Sequence, residues 1–164
     1  MRTITITLSR EEIMSDVVNI AHVTGRRLNV AGNEEKASDI QTPEEGTDKY
    51  IVARAMMEGL SAIRKECGRY LSNGRLTDTN GLEDTAGNYT LDLSMPDRWN
   101  YGATSRLTSL ANAYVRDYCV YSIFEKTNPE EAVQYLTKAN SYLSEIKPVL
   151  EMRTAPVRRV GGLY

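Results

Sequence analysis

The sequence predicts a mainly α fold: a bundle of about four helices with a small β-hairpin or strand element and an extended C-terminal tail. Three observations predict it. Apolar residues recur at the helical period in several long stretches, they alternate at period two in short ones, and the residues from 153 onward show neither period. A chain of 164 residues, 41% hydrophobic and 26% charged, has the size and apolar content of one core-forming domain. The expected organisation is one helical domain over residues 1–152 and a tail over 153–164.

Thr3 to Leu8 alternates strictly, with Ile4, Ile6 and Leu8 on one face and Thr3, Thr5 and Thr7 on the other, so residues 1–8 read as a strand or extended arm. Ser9 and Glu12 form a capping-box pattern that starts helix one. Ile13, Val17, Ile20 and Ala21 give it one apolar stripe, and Gly25 offers a stop after about four turns. Residues 26–47 are polar and broken by Gly32, Pro43 and Gly46, which predicts a long surface connection with at most a short helix at Glu34-Glu35-Lys36.

Asp48 is placed to cap helix two, whose Ile51, Val52, Ala55, Met56, Leu60, Ile63, Cys67 and Tyr70 keep the helical period until Asn73-Gly74. Residues 75–95 read as a hairpin-like insertion: Tyr89, Leu91, Leu93 and Met95 alternate with polar residues as a strand does, after a polar stretch and Gly87-Asn88. Helix three is expected to start between Pro96 and Thr104 and to end near Lys126-Thr127. Its apolar side carries Leu107, Leu110, Ala111, Tyr114, Val115, Tyr118 and Tyr121. Asn128-Pro129-Glu130-Glu131 is a helix-start signal, since Asn caps, Pro suits the first turn and carboxylates favour the positive end of the dipole. Ala132, Leu136, Ala139, Leu143, Ile146 and Leu150 then form a heptad seam, perturbed by Pro148, that packs antiparallel to helix three.

The composition excludes several function classes. A net charge of −2 and the absence of a long Lys/Arg run argue against sequence-specific nucleic-acid binding. No run of eighteen apolar residues and no apolar leader are present, so neither membrane insertion nor export is expected. Cys67 and Cys119 fall within helical patterns and read as buried free thiols, in a reducing compartment. His22 is the single histidine and has no neighbour at ligand spacing, so it predicts neither a metal site nor a base for a cysteine nucleophile.

The acidic pairs Glu11-Glu12 and Glu130-Glu131 sit in helix first turns, and Glu34-Glu35, Glu44-Glu45 and Glu83-Asp84 in polar loops. The glycines form no phosphate-cradling fingerprint. The expectation is a protein without catalytic residues, metal or cofactor. Ten tyrosines against one Phe and one Trp lean toward contacts with partners, and the Tyr114, Tyr118, Tyr121 stripe reads as core or interface packing rather than a ligand platform.

Two segments are the candidate partner-binding elements. The tail reads either as a disordered end or as an arm that orders on a neighbouring subunit, with Arg153, Arg158 and Arg159 meeting carboxylates while Val160, Leu163 and Tyr164 fill apolar notches. The first strand, with Ile4 and Ile6, is placed to pair with a neighbour's edge.

The layout resembles that of the head-tail connector, or adaptor, proteins of tailed bacteriophages: a compact helical bundle, a hairpin insertion and a C-terminal arm. The segments that carry the likeness are Asp48-Lys49-Tyr50-Ile51-Val52-Ala53-Arg54-Ala55 through Gly68-Arg69-Tyr70-Leu71, then Leu107 to Phe124, then Asn128-Pro129-Glu130-Glu131-Ala132 into helix four. The resemblance implies a structural protein of the virion neck, assembled in the bacterial host cytoplasm. It would form a ring of identical subunits beneath the portal, extend the DNA channel and present a platform for tail or stopper proteins. A free-standing helical protein-binding or regulatory module is the alternative.

Overall fold

The computed structural model describes residues 1–35, 37, 46–72 and 87–154. The fold is mainly helical, with four long helices and one two-stranded antiparallel sheet among these residues. Strand β1 (Arg2–Leu8) leads into helix α1 (Arg10–Val30), followed by α2 (Gly46–Cys67), β2 (Tyr89–Met95), a 3-10 turn (Tyr101–Ala103), α3 (Thr104–Thr127) and α4 (Pro129–Leu150).

Helix α1 starts where its cap predicts, with the Ser9 hydroxyl accepting from the Glu12 N–H. It does not stop at Gly25, which is buried inside the helix; the predicted connection over 26–47 is therefore helical at both ends. The actual stop is Gly32, at φ +81°, a left-handed conformation that glycine adopts without a Cβ clash. Gly32 N–H donates to the Asn29 carbonyl and Asn33 N–H to the Leu28 carbonyl, both at 3.0 Å, the paired bonds of a Schellman stop. Residues 34, 35 and 37 are again helical. Helix α2 begins at Gly46, two residues before the expected cap at Asp48, and ends at Cys67 rather than at Asn73-Gly74.

The strand at 89–95 is present, but its partner differs from the expected hairpin. β2 pairs antiparallel with β1, from Arg2 opposite Met95 to Leu8 opposite Tyr89. The candidate outgoing strand of the hairpin lies outside the described residues, while Tyr70–Ser72 flanks the other edge of β2 through the Leu71–Leu93 bridge. Matching alternation explains the long-range pairing: Ile4, Ile6 and Leu8 join Leu91, Leu93 and Met95 on one buried face, and Thr5 donates to the Asp92 carboxylate at 2.6 Å on the other.

That buried face packs on α3, the central helix, which also contacts α1, α2 and, most extensively, α4. The α3–α4 turn is short, and Asn128 heads α4 differently from the expected cap. Its side-chain amide donates to Glu131 at 2.8 Å and makes no bond to the helix N–H groups. Of the predicted α4 seam, Ala132, Ala139, Ile146 and Leu150 are buried and Leu136 and Leu143 half-buried, while the helix runs through Pro148 to Leu150.

Trp99, buried just before α3, donates its indole N–H to the Val149 carbonyl and meets Tyr101 edge-on at 5.3 Å between ring centres. The chain after α4 returns to the same place. Asn100 N–H donates to the Met152 carbonyl, Thr154 N–H donates to the Arg98 carbonyl at 2.9 Å, and Arg153 forms a β-bridge with Trp99. The first two residues of the predicted tail are thus paired to residues 98–100 and belong to the folded body.

Candidate functional site

A cleft of about 370 Å³ opens between the first half of α2 and the last turns of α3. Ile51, Ala55 and Ser122 form its less exposed lining, and Tyr50, Arg54, Glu58, Glu125 and Lys126 are its exposed residues. On α2, positions 50, 54 and 58 are four apart and so share one side of the helix, beside Ile51 and Ala55.

The tyrosine stripe of α3 leads to this cleft. Tyr114, Tyr118 and Tyr121 stand with successive ring centres 6.0 Å apart, passing from buried Tyr114 to half-buried Tyr121. The Tyr118 hydroxyl donates to Glu58 at 3.0 Å, and Tyr121 stands near the negative charge of Glu125. The stripe therefore packs the α2–α3 seam and also holds the Glu58 carboxylate of the cleft.

Burial, followed by the bond to Glu58 and its negative charge, pushes the Tyr118 hydroxyl up to about 12. Burial also raises Tyr114, and burial with the Glu125 charge raises Tyr121. Arg54 and Lys126 make no ion pair among the described residues. Two carboxylates, one of them held by Tyr118, with two available cations and an exposed tyrosine around the less exposed lining, can receive a peptide segment by hydrogen bonds and ion pairs at its edges. Sequence reading missed the cleft because its residues are unremarkable on either helix; the repeat of polar groups at 50, 54 and 58 was the available signal.

An ion pair also ties α1 to α4, beside a second one within α3. Asp117, buried on α3, accepts from Arg116 at 2.8 Å, and Arg27 of α1 bonds Glu131 of α4 at 2.6 Å. Burial works against the Arg116 charge, but the bond and charge of Asp117 outweigh it and raise its pKa. The Arg27–Glu131 pair joins two helices, while the Arg116–Asp117 pair lies within α3.

Cys67 and Cys119 are buried free thiols: burial, then the neighbouring Glu66 charge, pushes Cys67 up to about 12, and burial alone pushes Cys119 further. Neither is a nucleophile at neutral pH. His22 is half-buried on α1, and no group of three or more metal-ligating side chains exists among the described residues. No described helix is long and apolar enough to cross a membrane.

Of the candidate partner-binding residues, Ile4 and Ile6 put their side chains, 8% and 0% exposed, into this chain's own core, while the edge of β1 away from β2 has no backbone partner among the described residues. Arg153 is exposed, with its backbone held by Trp99. Arg158, Arg159, Val160, Leu163 and Tyr164 lie outside the described residues. Comparison of the chain with protein-family models, with curated proteins and with solved structures finds no match.

Proposed function

We propose that this protein is a structural adaptor of a tailed phage or prophage particle, located in the virion neck. There it forms a ring of identical subunits that joins the portal to tail or stopper proteins and leaves a channel through which DNA passes. The observation that carries this reading is the anchoring of residues 153 and 154 just before a basic and apolar stretch of sequence. Residues 153 and 154 are fixed to the Arg98–Asn100 segment at one end of the bundle, and the sequence beyond adds Arg158, Arg159, Val160, Leu163 and Tyr164 with no acidic residue. A basic and apolar segment launched from a fixed point is suited to docking on an acidic and apolar surface of another subunit.

Exposed apolar groups on the helices add to it. Val23 and Val30 lie seven residues apart, hence on one side of α1, and the Arg27–Glu131 bond joins that stretch to the start of α4, where Val133 is also exposed. In this role the protein performs no reaction, and specificity comes from surface complementarity repeated around the ring. Co-expression with its genomic neighbours, followed by light scattering and negative-stain microscopy, tests the reading: a ring or a portal complex supports it.

The cleft between α2 and α3 favours a second reading, a free-standing helical module that binds a protein segment there. Glu58→Lys would abolish partner capture in that case and leave ring assembly intact in the first.

A further inference from the structure

β1 is an edge strand, and the direction of its free backbone groups follows from the bonds on the far side of β2. Ser72 N–H donates to the Asp92 carbonyl at 3.0 Å, and Ser94 N–H donates to the Tyr70 carbonyl at 2.7 Å. The backbone groups of Asp92 and Ser94 therefore point away from β1. Those of Leu91, Leu93 and Met95 point toward it, since the N–H and C=O of one residue share a side and alternate along an antiparallel strand. Their partners are Ile6, Ile4 and Arg2. The backbone groups of Thr3, Thr5 and Thr7 are left facing outward, and no other backbone group bonds them among the described residues.

Such an edge is a template for another strand, and β1 contains neither the proline nor the lysine that commonly blocks one. Its sequence also selects the occupant. Thr3-Ile4-Thr5-Ile6-Thr7 reads identically in both directions about Thr5. Two copies related by a two-fold axis at Thr5 place Thr5 opposite Thr5, Thr3 opposite Thr7 and Ile4 opposite Ile6. Each opposed threonine pair then exchanges two N–H···O bonds. The isoleucines stay on the core face of both sheets, which a slip of one residue would reverse. Arg2 meets Leu8, so no like charges are opposed.

We propose that the free protein forms a two-fold dimer in which β1 of one copy adds to β1 of a second, making a continuous four-stranded sheet. A two-fold contact joins only two copies and does not close a larger ring, so the dimer is a state of the unassembled protein, separate from the adaptor reading. A single strand edge buries less surface than a standard stable interface, so the dimer depends on concentration.

The test uses the full chain. Light scattering is expected to give a mass rising from 18.4 kDa toward twice that with concentration. Thr5→Pro, which removes an outward N–H and the Thr5 hydroxyl's bond to Asp92 but no backbone β1–β2 bond, should stay monomeric with unchanged helical circular dichroism. Under mild oxidation Thr5→Cys should form a disulfide dimer and Thr3→Cys should not. In this register two Thr3 residues stand about 13 Å apart along the strands, beyond disulfide reach.

The proposal is overturned by a folded Thr5→Pro that still dimerises, by equal cross-linking of the two cysteine variants, or by a wild type that stays monomeric while Thr5→Cys fails to cross-link. If Thr5→Pro does not fold, the cysteine pair decides. Dimerisation without portal binding would remove the adaptor reading and leave this one; portal binding without dimerisation would do the reverse.

Discussion

Trp99 donates its indole N–H to the Val149 carbonyl at 3.0 Å, joining the segment before α3 to the last turn of α4. The same carbonyl accepts the Met152 N–H at 3.2 Å, and Arg153 pairs with Trp99 itself. One buried indole thus orders both the entry to the central helix and the chain that leaves the bundle. Trp99→Phe should lower stability by about 1–3 kcal/mol, toward the smaller figure because Val149 keeps a second donor. Trp99→Ala should lower it by about 3–5 kcal/mol through the cavity left behind. Urea unfolding followed by circular dichroism measures both.

Removing residues 155–164 should leave the unfolding midpoint unchanged and weaken assembly with the portal. Removing 153–164 should in addition cost about 1 kcal/mol, because the bonds of Thr154 to the Arg98 carbonyl are lost. Unfolding curves of the two truncations, with portal pull-down in parallel, separate the structural part of the arm from the rest.

Tyr118 gives the fold a dependence on alkaline pH. Its hydroxyl is raised from 10.0 to about 12 in the folded protein, so the folded state holds the proton more tightly than the unfolded chain. The stability from its burial and its bond to Glu58 is complete below about pH 10 and is lost as pH rises toward 12. Thermal unfolding between those values should fall more steeply for wild type than for Tyr118→Phe. Equal slopes would mean that Tyr118 is not the group responsible.

Cys67 and Cys119 should resist an aromatic disulfide reagent at pH 8 in the native protein and both react in denaturant, since burial holds the thiols protonated and inaccessible. Fast labelling of either thiol without denaturant would contradict their placement.

Local signals in the sequence located most of the elements. Ser9, the alternation from Thr3 to Leu8 and the Asn128-Pro129-Glu130-Glu131 start are short-range features, and the elements they announce are present. What was illegible depends on distant partners. Nothing near Tyr89 says that its strand pairs with residues 2–8, because register comes from burying two matching apolar faces on α3. Gly25 and Gly32 look alike as stops, and only the paired bonds at 28–33 distinguish the left-handed one. Ile4 and Ile6 were legible as apolar, while their assignment to this chain's core needed β2 beside them. The cleft was hidden for the same reason: its lining comes from two helices, with Glu58 and Ser122 more than sixty residues apart in the sequence.

The most direct test of the adaptor reading is negative-stain microscopy and light scattering of the full chain co-expressed with its genomic neighbours, any portal among them included. A ring of copies seated on the portal, lost when residues 155–164 are removed, is the predicted result. Portal rings that carry none of this protein, with the chain recovered separately at its free mass, would contradict it.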